Sequence, residues 1–564
     1  MSKTTGSAFL AQAVEGYGLS HVFLVPYAFA EALAHMEDSN VCRVSAHSEL
    51  AAVYMADGYA RASRRPGLVF AQAVGAANAA AGLREPYLAS SPVILFTGGT
   101  HPHTRYRHLY QEIEDFPMFD AVTKSNVRME CVERLPDLLR QAFRVATTGS
   151  PGPVHVEVPG RFGEAMEGEA DLSPYFEKMF GQYPPYRPEP EPGVVREAVR
   201  TIAAARRPII VAGGGVISSG AASDLVEFAE ALSIPVAVSL NGKEAIRDSH
   251  PLCLGAAGTY GRWSVNQALA EADLVVWVGS RAGGHVSDNW QAPRPGTAAI
   301  QLDIDAAEIG RNYPVGVGLL GDAKATLQRL IGEVKATPEV GSRPGQHEWL
   351  LRTQALLAEW RAEAEAHAGP DDAIPIRPEY LCKEISEALA ADAVVVTDTG
   401  HSAIWGAQMI NLTQPAQRYI RCAGTLGWGF PGAMGVKCAL PERQVVALIG
   451  DGGFYYHMAE METAARMGIN VVVVVNNNSC MSQTREGFDA AYGGCQRGRA
   501  HEMWRYGQVD FAAVAEMMGC VGIRVEEPAE LRPALARALA AERPTVINVV
   551  SDMFALPPGP WRKS

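Results

Sequence analysis

An aspartate set between glycines, Gly450-Asp451-Gly452, and a run of amides that includes Asn477 and Asn478 each stand behind a valine-rich stretch. The order reads strand, turn, helix, strand, loop: "VVALIGDGG", then "FYYHMAEMETAARMG", then "INVVVVVNNN". In a parallel sheet both turns fall on the carboxyl edge, where doubly wound sheets bind ligands. A carboxylate and a neutral amide oxygen are hard donors suited to Mg²⁺, which in turn holds a diphosphate. An ordinary crossover with an Asp-Gly turn would explain Asp451 alone. The amides behind the following strand make metal chemistry the better reading.

The elements that must position these residues follow from length and pattern. At 564 residues the chain exceeds one core, since roughly 150 residues make a domain. A Pro-rich, charged run over 181–193, "GQYPPYRPEPEPG", is expected to be an extended, helix-free linker. A second break is expected around 365–380, before "PDDAIPIRPEY". The chain therefore divides into 1–180, 190–340 and 375–564. Each block alternates Val/Ile-rich strands with helical patterns, so the fold class is α/β, three doubly wound parallel-sheet domains.

Composition excludes several function classes. A formal net charge of −13 with no basic run argues against nucleic acid or an anionic membrane as partner. Nine cysteines, an odd number with no CxxC pair, argue for free thiols in a reducing compartment. The first residues, "MSKTTGSAFLAQAVEGYG", read as an amphipathic helix and not as a signal peptide. No apolar run approaches the ~20 residues that span a bilayer. The expectation is a soluble, cytoplasmic protein acting on a small molecule.

The pairing of GDG with a later NN resembles the signature of thiamine-diphosphate enzymes. With three α/β blocks, and with "GYARAS", "PGPVHVEVP", "ADLVVWVGSRAG" and "DIDAAEIGRNYPV", the chain resembles the acetolactate synthase and pyruvate oxidase branch over nearly its whole length. The resemblance implies that block 1–180 binds the aminopyrimidine and block 375–564 binds diphosphate and Mg²⁺. It implies Asp451 and Asn478 as metal ligands, with the Cys480 carbonyl as a third oxygen. Gly450, Gly452 and Gly453 would cradle phosphate at a helix N-terminus. "TDTGHSAIW" would bring Gly400, His401 and Ser402 to the diphosphate, although the family commonly has Gly-Gln-His there.

By the same resemblance Glu49, in "AHSELAAVYMADGYARA", is the glutamate that hydrogen-bonds N1′ of the aminopyrimidine; a helix-terminus charge is its plain alternative. In "CAGTLGWGFPGAMG", Gly424 offers a carbonyl to the 4′-amino group and Leu426 is the apolar wedge that bends the cofactor. Gln111, in "HLYQEIEDFPMFDAVTKS", falls beside the reacting carbon, with Lys124 at the substrate channel; a surface ion pair is the plain reading of Glu112 and Lys124. Tyr27 and Ala28 replace two family glycines, and Tyr27 either assists substrate or fills space. Among the histidines, His457 and His101 lead as proton-relay candidates.

Acetolactate synthases place a Met and a Trp after NN to shape the substrate pocket; here Gln483 and Gly487 fall there. The pocket is therefore not expected to be tuned for two pyruvates. The activity implied is making or breaking a carbon–carbon bond beside a carbonyl of a 2-oxo acid or related compound, as a carboligase or lyase. Alternatives are a simple 2-oxo-acid decarboxylase, a 2-hydroxyacyl-CoA lyase, or a catalytically silent thiamine-binding relative. "AGGGVISSGAA" and "GSRAGG" leave the central block to bind FAD, ADP or nothing. The assembly implied is a homodimer or a dimer of dimers (a homotetramer), with sites shared between chains.

Overall fold

The structure is a computed structural model that describes residues 3–337, 345–368 and 372–562. Three parallel sheets of six strands organise them. The first runs, edge to edge, Cys42–Ser45, His21–Leu24, Gly67–Ala71, Val93–Gly99, Val154–Pro159 and Ser125–Arg128. The third repeats that connectivity with Arg418–Arg421, Val394–Thr397, Val445–Gly450, Val472–Asn477, Thr545–Val550 and Val521–Val525. The central sheet differs: Cys253–Ala256, Val236–Val238, Pro208–Ala212, Leu274–Val278, Ala298–Asp303 and Val317–Leu320. Its order reverses between Pro208–Ala212 and Leu274–Val278, which opens a crevice at the carboxyl ends of those strands.

The strands expected from the sequence are present. The edge and late strands, such as Cys42–Ser45 and Val521–Val525, carried too little apolar pattern to be read. The linker is helix-free only over 182–191: a short 3-10 turn covers Lys178–Gly181, and a helix opens at Pro192. Proline there needs no N–H partner and its fixed φ suits a first helical turn. The opening segment forms the helix Gly6–Gly16, capped by Thr5, whose hydroxyl accepts the Ala8 N–H.

The first and third domains share one core, in which Tyr54 and Met55 lie with Trp428, Met434 and Val436. Two helices make the contact: Glu49–Ser63, rich in strong helix-forming alanine, and Gly429–Ala439. They meet at glycines. A Cβ on Gly58 would overlap the Gly432 carbonyl, and one on Gly435 would overlap that of Met55. Trp428 Nε1 donates to Asp57 Oδ2 (2.9 Å), and the Arg61 guanidinium lies over the Trp428 ring. Residues 55, 58 and 61 thus face 435, 432 and 428, so the pair is antiparallel.

Candidate active site

The carboxyl edge of the third sheet gathers the donors. Asp451 follows the strand Val445–Gly450 and is 3% exposed. Its Oδ1 accepts the Gly452 N–H (2.9 Å) and its Oδ2 the Cys480 N–H (3.2 Å), tying the two strand ends together. Burial pushes its carboxyl up to about 7. Asn478 donates its amide to Ser482 Oγ (2.9 Å), which turns its oxygen away from that partner. Asn477 is a structural neighbour: it holds Val509 O (2.9 Å) and Asn548 Oδ1 (2.7 Å). One carboxylate, one amide oxygen and the backbone carbonyl of Cys480 make a hard-oxygen donor set that fits Mg²⁺.

Around this set the chain keeps open space. Gly400, at φ 74°, precedes the helix His401–Met409, and that backbone conformation favours glycine. Ser402 Oγ meets Asn476 Nδ2 (3.3 Å), while Asn476 Oδ1 is buried without a partner. His401 Nε2 pairs with Glu486 Oε2 (2.8 Å), its Nδ1 is buried and unpartnered, and burial lowers its pKa. A Cβ on Gly450 would stand 3.1 Å from Ser402 Oγ. The Gly452 N–H is taken by Asp451.

The Gly424–Leu426 loop is held from two sides by carboxylates that the sequence reading missed. Glu85, fully buried on the helix Ala76–Ala89 of the first domain, accepts N–H groups of Ala423, Gly424 (3.2 Å) and Thr425 (3.1 Å). Asp398 accepts those of Thr399 (2.7 Å), Gly427 (3.1 Å) and Gly429 (2.8 Å), and burial pushes it up to about 6. Asp398 stood in plain view in "TDTG"; no local signal marked Glu85. Gly424 is exposed, a Cβ there would meet nothing, and Leu426 is half-buried, outside the packed cores.

Glu49 opens its helix with Oε2 accepting Asn78 Nδ2 (2.9 Å). A side chain on Gly75 would collide with its carboxylate. Just before this helix, His47 bonds to Glu460 and Glu462 of the third domain (3.1 and 2.8 Å). Glu49 and Leu426 lie at opposite ends of the antiparallel helix pair, so one chain does not bring them together. Tyr27 is 70% exposed at φ 120°, edge-on to Phe162 (4.7 Å), and Gln111 sits at φ 70°. Tyr27 holds a backbone conformation more usual for glycine.

Two readings of the first domain need correction. Glu112 and Lys124 do not pair: Glu112 accepts the Thr104 hydroxyl (2.6 Å). Lys124 donates to the carbonyls of Val145, Thr148 and Ser150 (2.7–2.8 Å). Lys124 caps a helix end and lines the central cavity, not a channel beside Gln111. His457 is buried against Tyr54, its Nε2 has no partner, and burial lowers its pKa to about 4.

A cavity of about 910 Å³ opens at the central sheet's reversal, lined by Gly214, Asn241, Ser280, Arg281, Asp303 and Lys124 among others. The Gly213–Gly215 run packs on the Gly279 turn: a Cβ on Gly215 would come within 2.7 Å of Gly279 Cα. Asp303 ends its strand at the cavity with its carboxyl pushed up to about 6 by burial.

Comparison with known proteins agrees with this layout. Residues 4–118 match the N-terminal TPP binding domain of thiamine pyrophosphate enzymes, 195–330 their central domain, and 398–549 their C-terminal TPP binding domain. A probable acetolactate synthase large subunit of Methanocaldococcus jannaschii is 32% identical, covering 98% of this chain and 94% of that protein. The chain belongs to the thiamine pyrophosphate enzyme family. An acetolactate synthase of Mycobacterium bovis is 31% identical over 98% of this chain and 88% of its own length. The acetolactate synthase large subunit of Haemophilus influenzae is 29% identical over 99% and 96%. The protein is thus a thiamine-diphosphate-dependent, acetolactate synthase-like enzyme, not a silent relative. Among the described residues no helix is long and apolar enough to cross a membrane.

Proposed function

We propose that this enzyme is a Mg²⁺-dependent carboligase that joins an acyl unit from a 2-oxo acid to a second carbonyl compound. The observation that carries the reading is the Asp451 bridge, which ties both strand ends and leaves the Asn478 and Cys480 oxygens for a metal. Asp451, Asn478 and the Cys480 carbonyl would hold Mg²⁺, which neutralises the diphosphate. Gly453, with Gly400, His401, Ser402 and Gly450, would line that diphosphate. When bound, thiamine diphosphate supplies the nucleophilic carbon and the electron sink that no side chain provides.

The chain's own groups do the rest. Glu49 would share a proton with N1′ of the aminopyrimidine, and the Gly424 carbonyl would accept a hydrogen bond from its 4′-amino group. Glu85 and Asp398 pre-set that carbonyl by occupying the loop's N–H groups, which costs no reorganisation during reaction. Leu426 is the wedge. Tyr27 and Gln111 would border the reacting carbon. Because Glu49 and Leu426 stand apart within one chain, the working unit is a homodimer or a dimer of dimers, and the central cavity would take FAD or ADP.

Substrate preference departs from two pyruvates, since Gln483 and Gly487 replace apolar bulk at the pocket. Incubating the holoenzyme with pairs of 2-oxo acids and aldehydes, and reading CO₂ and ketol products, tests the proposal. Ketol formation supports it. Release of aldehyde alone marks a decarboxylase, and cleavage of a 2-hydroxyacyl-CoA marks a lyase.

A further inference from the structure

Arg421 ends the edge strand Arg418–Arg421, three residues before Gly424, and is 4% exposed. Its Nε is buried with no acceptor, and its Nη2 meets only Cys422 Sγ at 3.8 Å. That sulfur is no counter-ion, because burial pushes the thiol far above its usual range. Two other buried guanidinium groups of this chain find oxygen partners. Arg418 donates to Ala62 O (2.8 Å) and to Glu244, and Arg262 to Gln408 O (2.7 Å) and Asp248 (3.3 Å). Arg421 alone of these three lacks an oxygen partner. A buried cation without one is destabilising unless a ligand completes it.

Neighbouring groups point to an anion as that ligand. Glu85, the carboxylate in the field of Arg421, has committed its oxygens to three N–H groups of the Gly424 loop. Tyr260 and His285 of the central domain also lie in that field. The Tyr260 hydroxyl accepts a hydrogen bond from Gln483 Nε2 (3.0 Å), which leaves its own proton to donate. The Tyr260 ring stands edge-on to His285 (4.6 Å), and Gln483 Oε1 would lie 3.9 Å from a Cβ on Gly400. The cluster therefore reaches from the cofactor loop to the diphosphate loop.

We propose that Arg421, with the Tyr260 hydroxyl, receives the carboxylate of the acceptor substrate, a 2-oxo acid. This rests on the carboligase reading. The acceptor's carboxylate persists in the product, whereas the donor's leaves as CO₂. A cation paired with the leaving carboxylate would stabilise the ground state more than the transition state and slow the reaction. Arg421 is thus a specificity-determining residue for a charged acceptor.

The test uses holoenzyme loaded with thiamine diphosphate and Mg²⁺. Arg421→Gln is expected to raise KM for an acceptor 2-oxo acid about 10- to 100-fold, the range of a lost charged hydrogen bond. KM for a neutral aldehyde acceptor, cofactor affinity and C2 hydrogen exchange should stay unchanged. Arg421→Lys should recover part of the loss, and Tyr260→Phe should lose several-fold for the acid alone. Oxamate, an unreactive 2-oxo acid analogue, should bind the wild type by calorimetry and fail to bind Arg421→Gln. If acid and aldehyde KM change alike, or cofactor affinity falls instead, the cation serves the fold or the diphosphate and the inference is overturned. If Arg421→Gln does not fold, unchanged acid KM in Tyr260→Phe and Arg421→Lys overturns it. A wild type that makes only aldehyde overturns the carboligase reading; normal ketol formation with unchanged oxamate binding in Arg421→Gln overturns this inference alone.

Discussion

Gly58 and Gly432 touch backbone to backbone: no Cβ fits on Gly58 without overlapping the Gly432 carbonyl. This contact, with that of Gly435 on Met55, holds the helices Glu49–Ser63 and Gly429–Ala439 close together, deep in the core shared by the first and third domains. Close-packed interiors do not absorb an added methyl group freely. Gly58→Ala is therefore expected to destabilise the protein by about 1–3 kcal/mol, read as a lower midpoint in urea. An unchanged midpoint would mean that the helices slide apart at little cost.

From that crossing, Glu49 lies nine residues along one helix and Leu426 six residues the other way. At 1.5 Å per residue the two are separated by about 20 Å. Glu49→Gln should leave diphosphate binding intact but abolish hydrogen–deuterium exchange at C2 of the cofactor. Mixed with an equally inactive Asp451→Ala chain, it should regain activity, because one site of the heterodimer then holds both residues. Proven heterodimers without recovery would show that each chain builds its own site.

The Asp451 carboxyl has been raised by burial to about 7, so without metal it holds a proton below that pH. Mg²⁺ must displace this proton. Metal affinity should rise with pH, about tenfold per unit, up to pH 7 and then level off. Calorimetry in buffers of different ionisation enthalpy should register close to one proton released at pH 6. Asp451→Ala should lose Mg²⁺-dependent cofactor affinity. Cofactor affinity in Asp451→Ala that still rises with Mg²⁺ as in the wild type would move the metal site elsewhere.

His155 is buried, stacked on Phe119 (3.6 Å), with Nε2 on Thr97 Oγ1 (2.8 Å) and Nδ1 on Asn126 Oδ1 (2.7 Å). The Asn126 oxygen only accepts, so Nδ1 carries the proton and Nε2 accepts from the threonine hydroxyl. Burial, with a smaller push from Arg128, lowers its pKa to about 3. The unfolded chain takes up a proton near 6.5 while the folded one does not. The contribution is therefore full above pH 6.5 and lost as pH falls toward 3. At pH 5 the loss should be about 2 kcal/mol. Comparing the pH dependence of urea unfolding in wild type and His155→Gln isolates it; parallel curves would exclude His155 as the cause.

Asp451 and Asn478 were legible in the sequence because strand, glycine turn, helix and strand follow one another locally, and the side-chain period of each is short-range. The three-domain division was legible for the same reason, through linkers poor in apolar pattern. The Gly424–Leu426 loop could be read as a loop because a glycine-rich run is written in consecutive residues. What carries the loop could not. Glu85 stands more than three hundred residues away in the chain from the N–H groups it accepts, and nothing in "LREPYLAS" marks it. Lys124 looked like half of a surface pair until the fold turned it onto three carbonyls. Arg418 and Arg421 are indistinguishable as letters of one strand, yet one finds oxygen partners and the other has none. Spacing along the chain determines where a group emerges from the sheet; whether that group is paired depends on contacts between distant segments, which exist only once the three domains have closed on one another.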